Sequence, residues 1–243
     1  MHARNTASKR RRKSGIRLPF VMLLAISGAV AAAGAAFAGI VNSAHDFSSG
    51  GTGGPWGTPD TDRICVFCHT PHQAQPVQAP LWNRQDTTST FKTYGSPTLD
   101  ASVGQPTGNS RLCLSCHDGS VAVDAYVAGG PAIPHMMAIG DVYYPGSPYG
   151  EGGPNIGGNY SGNASVNDLR NDHPVSFIYD DGLAAADGDL RAPSSLPPNL
   201  PLFQGRLECA TCHDAHNVET VGGTRLLRIS NQGSVLCLTC HLK

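Results

Sequence analysis

The 243-residue chain is poor in charge: only 14% of its residues are Asp, Glu, Lys or Arg, and the net charge is −1. Seven of the 17 basic residues lie within residues 1–19, a stretch that contains no acidic residue. The remainder therefore has ten basic residues against 18 acidic ones, a net charge near −8. This balance excludes the basic surface that nucleic-acid binding requires.

Long runs with the hydrophobic period of a helix or a strand are also scarce. Glycine, proline, serine and tyrosine are concentrated in residues 48–59, 129–162 and 192–201, which predicts loops and turns there. The low charge and the 40% hydrophobic content are nevertheless not those of a disordered protein. Something other than packed helices and sheets must supply the core.

Unpaired cysteines are absent, because all eight cysteines form C-x-x-C pairs and a histidine follows each pair directly. The pairs are Cys65/Cys68, Cys113/Cys116, Cys209/Cys212 and Cys237/Cys240, and the histidines are His69, His117, His213 and His241. C-x-x-C-H is the attachment signature of c-type haem, in which the thiols bind the porphyrin and the histidine binds the iron. Zinc sites or disulfides are alternatives for the cysteines, but neither needs a histidine after every pair. We therefore predict four covalently attached haems.

Residues 1–38 have the pattern of a secretory signal peptide. A basic segment is followed by an apolar stretch from Phe20 to about Ala33, and Ala36-Phe37-Ala38 has the A-x-A form of a signal-peptidase site. Cleavage there predicts an exported protein whose mature chain starts at Gly39. An uncleaved membrane anchor over residues 20–41 is the alternative, since this segment is nearly long enough to span a bilayer.

An internal repeat relates the two halves of the mature chain. Its elements, in order, are a histidine, C-x-x-C-H-x-x-H and L-C-L-x-C-H. They occur at His45, 65–72 and 112–117, and again at His173, 209–216 and 236–241.

The repeat predicts three parts after the signal peptide. They are a first di-haem module over 39–130, a Gly/Pro/Tyr-rich connecting segment over 131–170 and a second di-haem module over 171–243. The predicted fold is mostly irregular with short α-helices, and its core consists of four covalently attached haems.

Each C-x-x-C-H-x-x-H motif carries a second histidine three residues after the first. His69 and His72 lie on one side of one short turn, so they cannot bind opposite faces of the same iron. His72 and its counterpart His216 are therefore predicted to be distal ligands of neighbouring haems rather than plain surface residues. The repeat adds His45 and His173 as the other two distal ligands.

Methionine, the competing axial ligand, is nearly absent, since only Met136 and Met137 follow residue 38. We therefore expect bis-histidine ligation at most or all haems. Low reduction potentials follow, because methionine ligation raises the potential. The repeat leaves out His135, which is expected to be a loop residue and is the substitute ligand if His45 does not bind iron.

The chain resembles the OmcE-type tetrahaem cytochromes, which polymerise outside the cell into haem-chain nanowires for extracellular electron transfer. The segments that carry the resemblance are HDF (45–47), CVFCHTPH (65–72), CLSCHDGSVAV (113–123), NDHPVSF (171–177), LECATCHDAHN (207–217) and LLRISNQGSVLCLTCH (226–241). The resemblance implies bis-histidine haems in a continuous stack, little secondary structure and one distal histidine supplied by the next subunit. His45 stands at the matching position.

Three functions are compatible with these features. The first is an extracellular filament for electron transfer, in which head-to-tail contacts join the subunits and His45 ligates a haem of its neighbour. Its redox partners would be proteins or extracellular electron acceptors.

The second is a monomeric periplasmic shuttle, in which His45 or His135 completes the last haem within the subunit. The third is a small multihaem oxidoreductase, which needs a haem with an open coordination position. The histidines suffice to close all four haems, so we predict an electron-transfer protein rather than an enzyme.

We predict that the haem-free chain is largely unfolded, because haems supply apolar surfaces that short helices and loops cannot provide for one another. Thermal unfolding followed by circular dichroism should be cooperative for the haem-loaded protein and lack a cooperative transition for the haem-free chain. A cooperative melt of the haem-free chain would show that the polypeptide has a sufficient core of its own.

Overall fold

The computed structural model describes residues 39–53, 57–118, 120–132, 156, 167–216 and 226–242. The predicted signal peptide, most of the connecting segment and His135 lie outside these residues. All of the described residues belong to one compact unit. Within them, no helix combines the length and the apolar character that crossing a membrane requires.

Regular elements are short throughout the described part of the chain. The α-helices are α1 (Gly108–His117), α2 (Asp181–Asp187), α3 (Cys209–Cys212) and α4 (Val235–Cys240), and 3-10 turns lie at Cys65–Phe67, Pro193–Ser195 and Gln232–Ser234. Strands β1 (Phe177–Ile178) and β2 (Arg206–Leu207) pair antiparallel, with Phe177 opposite Leu207. The expectation of a mostly irregular chain with short helices is confirmed.

Local chemistry limits the length of α2. The side chain of Asp180 accepts a hydrogen bond from the N–H of Leu183 at 2.8 Å and so caps the start of the helix. Gly188 ends the helix in the left-handed conformation, with φ of 77°. Only about two turns fit between these two signals.

Buried apolar side chains form three small clusters rather than one core. Their fully buried members are Phe47, Phe67 and Val123 in the first, Phe177, Tyr179, Ala184 and Leu207 in the second, and Phe91, Leu114 and Leu169 in the third. Cys68 and Cys116 pack against the first cluster and Cys240 packs against the second. The clusters thus lie beside predicted attachment cysteines, where a large apolar ring would extend each of them.

A buried polar network joins α1 to α3. The side chain of Glu208 is only 1% exposed, and it accepts hydrogen bonds from the Ser110 N–H at 3.2 Å, the Ser110 hydroxyl and the Ser176 hydroxyl at 2.8 Å. The Ser110 hydroxyl oxygen in turn accepts from the N–H of Cys209 at 2.9 Å. Because α1 and α3 each carry a pair of attachment cysteines, this network fixes two attachment motifs relative to each other.

We predict that Glu208→Ala lowers the free energy of unfolding of the haem-loaded protein by about 3 kcal/mol, since each buried polar group left without a partner costs about 1–3 kcal/mol. Guanidinium titration followed by circular dichroism would measure the change. As a control, Asp100→Ala at an exposed position should change the free energy by less than about 0.5 kcal/mol. Equal effects of the two substitutions would contradict a structural role for the network.

Candidate haem attachment sites

Each C-x-x-C-H motif forms one helical turn; we number the motifs 1 to 4 along the chain. Motif 1 lies on the first 3-10 turn, motif 2 ends α1, motif 3 begins with α3 and motif 4 lies at the end of α4. The N–H of His69, His213 and His241 donates to the carbonyl of the first cysteine of its motif at 2.9, 3.0 and 2.9 Å. Such a turn places the histidine directly behind the two thiols, as haem attachment requires.

The motifs follow one another in space in the same order as in the chain. Cys68 of motif 1 neighbours Cys116 of motif 2, Cys113 of motif 2 hydrogen-bonds with Cys209 of motif 3, and Cys212 of motif 3 neighbours Cys240 of motif 4. Burial, followed by the neighbouring thiols, raises the pKa of Cys68 to about 12 and that of Cys212 to about 11. Successive attachment turns are therefore neighbours in space.

Three pairs of histidines have the separation expected for the two ligands of one iron. That separation is about 6 Å between ring centroids, because each side contributes a metal–nitrogen bond of about 2 Å and a ring radius of about 1.1 Å. The pairs and their centroid distances are His45 with His117 at 6.0 Å, His69 with His216 at 6.2 Å, and His173 with His241 at 6.4 Å. Each pair joins one motif histidine to one predicted distal ligand.

His45 is half-buried beside His117 of the same chain. Its Nδ1 has no hydrogen-bond partner within the described residues, as expected for a nitrogen whose partner would be a metal. Burial first, and then the neighbouring His117 and His216, lower the pKa of His45 to about 4. The ring is therefore neutral at physiological pH, which is the state that binds iron.

Other candidate ligands have one ring nitrogen directed at a backbone carbonyl. Nδ1 of His69 lies 2.8 Å from the carbonyl oxygen of Pro80, and Nδ1 of His173 lies 2.9 Å from that of Pro174. A hydrogen bond of this kind fixes the tautomer and leaves Nε2 free for a metal. The local backbone thus orients these imidazoles for ligation.

His72 and His213 are not part of such a pair among the described residues. Burial lowers the pKa of His213, while a hydrogen bond to the backbone of Leu226 opposes that shift and the neighbouring His117 adds to it. The ring of His72 is exposed. The structure thus brings six of the eight predicted ligands together and leaves one motif histidine and one distal candidate.

An open cavity of about 230 Å³ lies next to motif 3. Cys209, Cys212 and His213 lie on its wall, together with the apolar side chains of Leu114 and Leu207. A flat apolar ring attached to both cysteines needs a slot with apolar walls. The residues present at motif 3 therefore fit a haem.

All eight cysteines lie in the described residues as free thiols. In the described part of the chain, no group of three or more His, Cys, Asp or Glu side chains is arranged to hold a bare metal ion.

Two features of the site were not predicted from the sequence. One is Glu208, whose partners Ser110 and Ser176 are far away in the chain, so no local pattern reveals them. The other is a set of short segments that form backbone bridges with the attachment turns. The sequence contains a weak signal for these segments. Leu81-Trp82-Asn83 and Leu226-Leu227-Arg228 follow the two C-x-x-C-H-x-x-H motifs at similar distances along the chain.

Comparison with known proteins gives one family match. A family model for the doubled CXXCH motif matches residues 201–243, which contain motifs 3 and 4. No curated protein matches the chain. The family match supports a multihaem c-type cytochrome, with haem c bound covalently at C-x-x-C-H motifs, and it is consistent with haem-based electron transfer.

Proposed function

We propose that the protein carries electrons through four covalently attached bis-histidine haems. The observation that supports this proposal is the set of three imidazole pairs at 6.0–6.4 Å, each joining a motif histidine to a histidine outside the C-x-x-C-H motifs. Two such ligands close both axial positions of an iron. A haem closed on both faces offers no position to a substrate, so electron transfer is favoured over catalysis.

The repeat supplies the fourth pair in this proposal. His45 with His117 in the first half corresponds to His173 with His241 in the second half. The pair of His69 with His216 crosses between the halves, and its counterpart under the same correspondence is His213 with His72. Motifs 1 and 3 would then exchange distal ligands, which accounts for both of the histidines left unpaired.

The neighbouring attachment turns support electron transfer from haem to haem along the subunit. The thiols of successive motifs neighbour one another, and the imidazoles of different pairs are also neighbours: His216 lies near His45, and His117 lies near His213. Covalent attachment at these turns would hold each haem at a fixed position. The chain's own contribution would be this fixed spacing.

We predict that the ferric protein is entirely low-spin, with two kinds of electron paramagnetic resonance signal. The imidazole planes are inclined by 83° and 71° in two pairs and by 20° in the third. Near-perpendicular planes give a strongly anisotropic low-spin signal, whereas near-parallel planes give a rhombic one. His216→Ala should remove a rhombic signal and convert one haem to high-spin.

The fourth pair has its own matched test. His72→Ala should convert one haem to high-spin, whereas His135→Ala should leave the spectrum unchanged. The opposite result would make His135 the fourth distal ligand. A wild-type spectrum with a high-spin component that binds small anions would instead favour the oxidoreductase.

An extracellular filament is the assembly that we propose for the exported protein, with the monomeric periplasmic shuttle as the alternative. The first and the last motif both lie beside exposed apolar side chains. At motif 4, α4 has no buried residue, and Val235, Leu238 and Leu242 are 50, 40 and 50% exposed. At motif 1, Val77 and Leu81 are 39 and 52% exposed. A head-to-tail contact between copies would cover both surfaces and bring the terminal haems together.

We predict that Val235→Asp, outside the C-x-x-C-H motif, prevents filament formation without changing haem content or the low-spin spectrum, because a charge would be buried in the contact. Electron microscopy of the natively expressed protein would measure this. Ile178→Asp is the matched control, since Ile178 is 44% exposed on β1 and should leave filaments intact. Monomers in the wild type would support the periplasmic shuttle.

His45→Ala separates two arrangements of the filament. If His45 binds its own chain, as its position beside His117 favours, the variant gains one high-spin haem and still forms filaments. If the N-terminal arm is exchanged between subunits, as the family resemblance implies, filaments are lost together with the low-spin haem. Both arrangements predict one high-spin haem in the variant. They differ in whether the variant forms filaments, which electron microscopy shows.

A further inference from the structure

Three of the attachment turns are closed by the same device, which we call the clasp. A clasp is a three-residue segment whose middle residue forms an antiparallel bridge with the motif. The clasps are Leu81-Trp82-Asn83 at motif 1, Leu226-Leu227-Arg228 at motif 3 and Asp189-Leu190-Arg191 at motif 4. In each clasp the middle residue forms a bridge with the motif histidine: Trp82 with His69, Leu227 with His213 and Leu190 with His241.

The backbone bonds of the three clasps correspond one to one. The third clasp residue donates its N–H to the carbonyl of the second motif cysteine, at 2.8 Å from Asn83 to Cys68, 2.9 Å from Arg228 to Cys212 and 2.8 Å from Arg191 to Cys240. The residue after the motif histidine donates to the carbonyl of the first clasp residue, at 2.8 Å from Thr70 to Leu81, 2.8 Å from Asp214 to Leu226 and 2.7 Å from Leu242 to Asp189.

The third clasp residue also binds the turn with its side chain. It donates to the carbonyl of the first residue between the two cysteines. These bonds run from Asn83 Nδ2 to Val66 at 3.4 Å, from Arg228 Nε to Ala210 at 2.7 Å and from Arg191 Nε to Leu238 at 3.2 Å. One residue thus holds two carbonyls of the C-x-x-C turn.

The geometry has a direct consequence for the motif histidine. The clasp ends the helical turn at the second cysteine and places the histidine in extended backbone, with φ and ψ of −108° and 147° at His213 and −96° and 142° at His241. The same segment supplies a carbonyl to the ring of His213. Backbone direction and ring orientation are therefore both set by the clasp.

We propose that Asn83, Arg191 and Arg228 are positioning residues, each of which holds the motif histidine of a single haem on its iron. This inference rests on the proposed haem function. Motif 2 differs, because it ends the ten-residue helix α1, whose own hydrogen bonds fix the turn. The clasp residues act through the histidine and do not themselves touch the iron.

The test uses the haem-loaded full chain and carbon monoxide, which binds reduced haem iron only after a histidine has left. Arg228→Met removes the Ala210 bond, and the rate of carbon monoxide binding at one haem should rise about 10- to 100-fold, as for other losses of a group that orients a metal ligand. Arg191→Met should act on a different haem and more weakly, because its bond is longer and Arg191 is exposed. The double variant should affect two haems.

Matched variants separate positioning from charge and from general damage. Arg170→Met removes an exposed arginine whose side chain bonds to Asp168 and should leave carbon monoxide binding unchanged. Arg228→Lys keeps the charge and one donor, and it should restore most of the wild-type behaviour. If Arg228→Met fails to load haem, Arg191→Met and Arg228→Lys carry the test.

Covalent haem content is measured first, by mass spectrometry of the wild type. Absence of haem would contradict the proposed function itself. Full haem content with wild-type carbon monoxide binding in both Arg191→Met and Arg228→Met, or an equal rise in Arg170→Met, would overturn the clasp inference alone.

Discussion

An iron held in a porphyrin accepts its two protein ligands on opposite faces of the ring, and the proposed architecture depends on this constraint. A C-x-x-C-H turn supplies one face only, so the second ligand must come from another part of the chain. His216 reaches His69 across the repeat, and His45 reaches His117 from the N-terminal arm. These long-range contacts tie an otherwise irregular polypeptide together.

The same constraint accounts for the small apolar clusters. A chain whose helices have ten residues or fewer in the described part cannot bury a large continuous core. Each cluster can nevertheless serve as one wall of a haem pocket, and the cavity beside motif 3 shows such a wall with both cysteines on it. Cofactor and polypeptide then form one core, and neither part of it is complete alone.

Buried charges differ from one motif to the next. Arg84, 1% exposed, donates to the carbonyls of Ala122 and Ser115 near motif 2 and has no carboxylate partner among the described residues. Glu208 lies between motifs 2 and 3 and is bound only by neutral donors. The electrostatic interaction of a buried charge with nearby groups is strong, because the protein interior screens it less than water does. The haems would therefore experience different fields even with identical ligands.

The sequence by itself indicated the chemistry: the cysteine pairs with a histidine behind each predict covalent haem, and the shortage of methionine favours histidine ligands, because these signals depend only on residue type and spacing. It also indicated the irregular fold, from the distribution of Gly and Pro. The tertiary structure alone decided which histidines meet, the contact of Glu208 with Ser110 and Ser176, and the clasps at Asn83, Arg191 and Arg228. Those contacts join residues distant in the chain, and their geometry follows from how the whole polypeptide closes around its attachment turns.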